Sequence, residues 1–141
     1  MSYKPILIVA GEPNSIFLEI FFKLYRNIKI KSPLVLIVSS KVLDLQMKKF
    51  NFKKRIKFLD LKKIKSYKLN NKSINIIDIR YEQKKAFEKI SNKSKSYIEN
   101  SFNVAIKLIK SDFTNKFING PISKKNFLRK NFLGITEYIS H

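Results

Sequence analysis

The sequence predicts an α/β domain, an open and mostly parallel sheet with helices on both faces. Three observations carry that expectation. Apolar runs rich in β-branched residues occur at 5–10, 33–39 and 74–79 with little polar alternation, the signature of strands buried on both faces. Segments with helical spacing of apolar residues intervene, and alternation of strand and helix favours parallel strands joined by crossovers. Finally, two of the chain's three glycines, Gly11 and Gly120, stand where predicted strands end. A chain this poor in glycine keeps one where the backbone needs an unusual torsion or a close approach.

Taken in order, the run at 5–10 reads PILIVA and is stopped by Gly11-Glu12-Pro13. Ile16, Phe17, Ile20, Phe21 and Leu24 then recur at helical spacing, with Asn14 or Ser15 as the N-cap and Glu19 near the positive end of the helix dipole. The second strand, 33–39, opens on Pro33, where a missing N–H is tolerated, and Ser40 caps a helix through Phe50. Residues 56–59 form a short strand, and 68–73 a polar connector. The third apolar run, 74–79, is followed by a polar stretch at 81–95, either loop or irregular helix. Ile98, Phe102, Ala105, Ile106 and Ile109 mark an amphipathic helix over 94–110, and 114–119 is a strand running into Gly120-Pro121. No repeat or linker divides the chain, so 1–141 is read as a single α/β domain.

Composition limits the chemistry. There is no cysteine, so disulfides, thiolate zinc sites and cysteine nucleophiles are excluded. No apolar run is long enough for a membrane span, and the expected setting is soluble and cytoplasmic. The net charge of +20 comes from 26 lysines and four arginines (Arg26, Arg55, Arg80 and Arg129) set against ten acids. Residues 41–72 carry half of it, with twelve basic residues and two acids, Asp44 and Asp60. Bidentate readout of bases and phosphates favours arginine, so a nucleic-acid partner is not the first expectation. Isoleucine (21) and asparagine (13) are abundant beside lysine, and all three have A/T-rich codons. That composition fits solvated faces, with a basic polyanion-binding module as the alternative.

Gly11-Glu12-Pro13-Asn14-Ser15 lacks the second and third glycines of a dinucleotide-binding loop, and Gly120-Pro121-Ile122-Ser123-Lys124-Lys125 is not a Walker A motif. Each alone is a strand-to-helix turn. With Gly134-Ile135-Thr136-Glu137-Tyr138 they form an ordered trio that resembles the amino-terminal part of 4-hydroxythreonine-4-phosphate dehydrogenase, a family of pyridoxal phosphate biosynthesis. The family's first strand leads to G-[DE]-P-x-G-I-G-P-E, in step here with Gly11, Glu12, Pro13, Ile16 and Glu19. Its T-G-P-[IV]-x-K is matched by Gly120, Pro121, Ile122 and Lys124, with Asn119 at the first position. Its G-H-T-E-[FY] is matched by Gly134, Thr136, Glu137 and Tyr138. The resemblance covers essentially the whole chain.

The resemblance implies the amino-terminal part of the isocitrate/isopropylmalate dehydrogenase-like fold, a homodimer, and NAD(P)-dependent oxidation with decarboxylation of 4-phosphooxy-L-threonine. It also implies a divalent metal held by three histidines, where this chain has one, His141, as its last residue and outside any motif. The chain is therefore expected to be an incomplete portion of a longer family chain, inactive alone, with no metal ligand, catalytic residue or cofactor-binding residue assigned within it. Thr136 carries over as a substrate contact, and Lys124 is either a further anion contact or a solvated lysine. Four further residues depart from the family pattern. Ser15, Phe17 and Leu18 replace small or rigid residues of the first loop, and Ile135 occupies the position of a substrate-contacting histidine. An isoleucine side chain makes no hydrogen bond, which leaves open a relative acting on another phosphorylated four-carbon hydroxy acid.

Overall fold

Strands without polar alternation need cover on both faces, and here they have it. A computed structural model describes residues 3–123. Ile6–Val9 (β1), Leu34–Val38 (β2), Ile56–Phe58 (β3), Ile74–Asp78 (β4) and Lys116–Asn119 (β5) form one five-stranded sheet in the order β3-β4-β2-β1-β5. Every pairing is parallel, with Ile6 opposite both Leu34 and Lys116. The helices are Phe17–Arg26 (α1), Ser40–Lys49 (α2) and Lys95–Lys110 (α3). Short 3-10 turns lie at Leu61–Ser66 and Asn92–Ser94.

Alternate side chains of each strand enter opposite cores. Leu7, Val9, Val35, Ile37 and Ile77 join Ile98, Phe102, Ala105 and Leu108 of α3. Ile8, Leu36, Val38 and Ile76 join Phe21, Phe22 and Tyr25 of α1 and Val42 and Leu43 of α2. This is the predicted arrangement of helices on both faces of a parallel sheet.

The face that α1 buries departs from the expected one. Leu18, Phe21, Phe22 and Tyr25 are buried, whereas Ile16, Ile20 and Leu24 are 65%, 55% and 45% exposed. Glu19, Lys23 and Arg26 share one polar face, and the apolar arc opposite is wide enough to hold two stripes that compete at the same period. The stripe bearing Phe22 and Tyr25 removes more area from water. It also gives the Tyr25 hydroxyl a partner, donating to the Ser73 carbonyl at 2.7 Å. Burial pushes the Tyr25 hydroxyl up to about 12.

The predicted caps shift as well. Ile16, not Asn14 or Ser15, occupies the N-cap position of α1, while the Ser15 hydroxyl accepts from the Phe17 N–H at 3.2 Å. In α2 the cap is Ser39, whose hydroxyl accepts from the Val42 N–H, and Ser40 is already helical. The stretch after β4 is loop, except for the turn at Asn92–Ser94.

The strand order has a consequence for ligands. From β1 the chain builds β2, β3 and β4 to one side, then returns through α3 to place β5 on the other. The carboxyl ends of β1 and β5 thus flank a topological switch point, where open α/β sheets bind their ligands.

Candidate functional site

Gly11 follows β1, and Gly120 follows β5. The φ of Gly11 is +79°, in the left-handed region that side-chain-bearing residues avoid. A Cβ on Gly11 would lie 2.5 Å from the Pro121 carbonyl oxygen, and one on Gly120 would lie 2.1 Å from the Ala10 carbonyl oxygen. Two turns far apart in sequence therefore touch backbone to backbone, and each needs the other's glycine. The Gly120 N–H donates to the Val9 carbonyl at 2.6 Å, and the Glu12 N–H donates to the Pro121 carbonyl at 2.8 Å.

The Glu12 side chain turns inward and is only 4% exposed. Its Oε1 accepts from the Asn14 N–H at 3.3 Å, and its Oε2 accepts from the Ser94 hydroxyl at 3.1 Å. Ser94 is itself buried, immediately before α3, so the carboxylate also lies at the positive end of that helix. Burial nevertheless raises the Glu12 carboxyl above its ordinary value, outweighing the Asn14 and Ser94 hydrogen bonds that pull it down.

The ends of β2 and β4 extend this polar layer. The Ser39 N–H donates to the Tyr97 hydroxyl oxygen at 3.0 Å, and the Ser39 hydroxyl donates to the Tyr81 carbonyl at 2.7 Å. The Tyr81 and Tyr97 rings lie 5.1 Å apart. Burial raises both phenols, and the Glu12 charge adds to the effect. Asp78 accepts from the Ser40 N–H at 2.8 Å, placing a carboxylate on the start of α2.

The loop after β4 closes over the first turn. Asn14 Oδ1 accepts from the Glu88 N–H at 2.8 Å, and buried Gln46 of α2 donates to the carbonyls of Pro13 at 2.8 Å and Ala86 at 3.0 Å. Lys84 and Lys85 N–H groups bind the Glu88 carboxylate and hold it below the usual carboxylate range. The Oε1 atoms of Gln46 and Gln83 are buried without a protein partner among the described residues.

The structure thus joins two of the three sequence motifs. Lys124 and Thr136, the predicted substrate contacts, lie outside the described residues, as do Gly134, Ile135, Glu137, Tyr138 and His141. Among the described residues no group of three or more histidine, cysteine, aspartate or glutamate side chains could hold a metal. Nor is any helix there long and apolar enough to cross a membrane. Sequence reasoning missed Ser94, Tyr81 and Tyr97. Only Ser94 had a local signal, as a serine at the start of a predicted helix.

No family model and no curated protein matches the chain. Solved structures do. A 4-hydroxythreonine-4-phosphate dehydrogenase from Burkholderia phymatum superposes with a TM-score of 0.82 at 16% identity, over 99% of this chain and 44% of that one. The enzyme of the same name from Klebsiella pneumoniae gives 0.80 at 18% identity, over 96% and 43%. The chain spans less than half the length of the solved proteins it matches, and over that span it shares the fold of 4-hydroxythreonine-4-phosphate dehydrogenases.

Proposed function

We propose that this chain forms one wall of the substrate crevice of a 4-hydroxythreonine-4-phosphate dehydrogenase-like enzyme. The reaction is NAD(P)-dependent oxidation of 4-phosphooxy-L-threonine, followed by loss of carbon dioxide, in pyridoxal phosphate biosynthesis. The single observation that carries the reading is the meeting of the Gly11 and Gly120 turns at the switch point between β1 and β5. These are the two motifs whose order and spacing resemble the family, and they come together where such a sheet binds ligands.

The described residues do not fit a divalent metal, and the Gly11 turn lacks the glycines of a dinucleotide loop. What the chain contributes in this reading is therefore positioning. Glu12, braced by Ser94 and Asn14, fixes the first turn, and the second turn leads into Ser123 and Lys124. Thr136 holds the substrate through its hydroxyl, and Lys124 adds a positive charge for an anionic group. The homodimer is likewise part of the proposal.

The test is titration of 4-phosphooxy-L-threonine into the isotopically labelled chain, followed by amide NMR. Shifts are expected at Gly11, Glu12, Gly120 and Thr136, and Thr136→Ala should weaken binding about tenfold, as for one lost hydrogen bond to a charged group. A spectrum that does not move sinks the reading. The same titration with a phosphorylated four-carbon hydroxy acid lacking the amine tests the relative that Ile135 leaves open, and tighter binding of that ligand would select it. With NAD, a divalent cation and the phosphorylated substrate, this chain alone is expected to form no NADH.

A further inference from the structure

The amino ends of the strands carry a feature that the crevice at their carboxyl ends does not use. A cleft of about 870 Å³ opens there, walled by Pro5, Pro33, Ile64 and Phe113 and ringed by Lys4, Lys31, Lys65 and Lys68. Its one acid is Asp112. A second cleft of about 440 Å³ adjoins it through Ile64 and Lys65 and adds Lys62 and Lys107. A third, of about 370 Å³, shares Asn70 with the first and adds Arg55, Lys57 and Lys72 along the edge strand β3. The three form one track.

Among the described residues none of its cations forms an ion pair, and Lys65 Nζ donates to the Ser111 carbonyl. The ion pairs of the described residues are Lys23–Glu19, Lys48–Asp44, Arg80–Glu82, Lys93–Glu88 and Lys95–Glu99, and none involves a cation of the track. Four carboxylates, Glu12, Asp78, Glu82 and Glu88, instead lie on or beyond the carboxyl ends of β1 and β4. Those ends are about 15 Å away, the length of a strand of four or five residues. The carboxyl-end edge also carries Arg80, Lys84, Lys85, Lys89 and Lys93, but two of these pair with Glu82 and Glu88, whereas the three clefts of the track are lined by one acid, Asp112.

Aromatic groups line the same track. Tyr3 is 45% exposed on the central cleft. Tyr67 is fixed there, because its hydroxyl oxygen accepts from the Asp60 N–H at 2.9 Å and Lys57 lies over its ring at 5.2 Å. Lysines that follow a backbone, with aromatic faces on which bases stack, are the parts of a single-strand groove. Eight lysines to one arginine suit phosphate contacts without base readout.

We propose that the amino-end edge of the sheet is a sequence-indifferent groove for single-stranded nucleic acid. This does not depend on the dehydrogenase reading. The test is fluorescence anisotropy of a labelled oligothymidylate with the 141-residue chain. Affinity should fall at least about tenfold between about 50 and 200 mM salt. The triple variant Lys31→Glu, Lys65→Glu, Lys68→Glu should weaken binding more than about tenfold and flatten the logarithmic salt slope by about 0.7 for each phosphate no longer neutralised. A control, Lys84→Glu, Lys85→Glu, Lys89→Glu, makes the same charge change in the loop after β4 and should weaken it less than about threefold. Circular dichroism checks the fold of both, and a glutamine version of the groove triple should show the same ranking if the glutamate one does not fold. Absence of saturable binding at low salt, or equal losses in groove and control variants, overturns the proposal. Unchanged affinity in Tyr3→Ala, with displacement by inorganic polyphosphate of equal charge, would replace nucleic acid by a bare phosphate chain.

Discussion

Replacing Gly120 by alanine is the sharpest test of the crevice geometry. The new Cβ would lie 2.1 Å from the Ala10 carbonyl oxygen and 3.1 Å from Phe17 Cγ, far inside ordinary contact distance. The ring of Phe17 can give, but the Ala10 carbonyl is fixed, since the next N–H beyond Val9 is itself bonded to β2 at the Ile37 carbonyl. The two turns must therefore separate. Separation lengthens the Gly120-to-Val9 and Glu12-to-Pro121 hydrogen bonds, each worth about 1 kcal/mol net. Overpacking against rigid backbone adds about 1–3 kcal/mol. The sum is about 3–5 kcal/mol, a large share of the roughly 5–15 kcal/mol that stabilises a domain. Urea unfolding of the wild type and Gly120→Ala, at matched m-values, measures it directly. Pro121→Ala is the companion, because it keeps the accepting carbonyl and should cost under about 1 kcal/mol. A loss below about 1 kcal/mol for Gly120→Ala would mean that the turns do not touch as described, and the switch-point argument would fall with it.

Two further outcomes follow from the same contacts. Glu12 has a raised folded-state carboxyl, so its contribution to stability is fully present below the unfolded value, near 4.5, and is lost as pH rises through the folded one. Glu12→Gln should therefore gain on the wild type between pH 4 and pH 7 in urea unfolding, and a gap moving the other way would contradict the burial argument. On α1, Phe22→Ala should cost about 3–5 kcal/mol and Ile20→Ala stay within about 0.5 kcal/mol. Phe22 is 1% exposed and stacks on Phe52 at 4.8 Å, so equal losses at the two positions would restore the face the spacing suggested.

What could be read from the sequence divides along physical lines. Strand runs such as ILIV and LVLIV are apolar on both faces, and few environments other than a doubly covered parallel sheet accept them, so strands and fold class were legible. Helix α1 shows the limit of the same logic. Its polar face of Glu19, Lys23 and Arg26 says which side stays out, but the apolar arc opposite is wide, so periodicity does not say which stripe of it packs closest, and that choice is made by the sheet it lands on. At the site, Gly11 and Gly120 were legible because torsion and close approach restrict residue type at a single position. That they touch each other was not, since contact depends on β5 returning beside β1. Tyr81 and Tyr97 were invisible for a related reason, and Ser94 was legible only as the start of a helix. A serine or tyrosine is ordinary in its own neighbourhood, and its role appears only when the buried carboxylate of Glu12 is set beside it. The charge follows the same rule in the opposite direction. Along the chain the lysines of residues 41–72 are interrupted by strands and turns, and they look like a diffuse surplus. The fold then gathers part of them with Lys4, Lys31 and Lys107 on one edge and leaves most carboxylates to other elements. Segregation of charge, and not its total, is the property on which a binding role for that edge stands or falls.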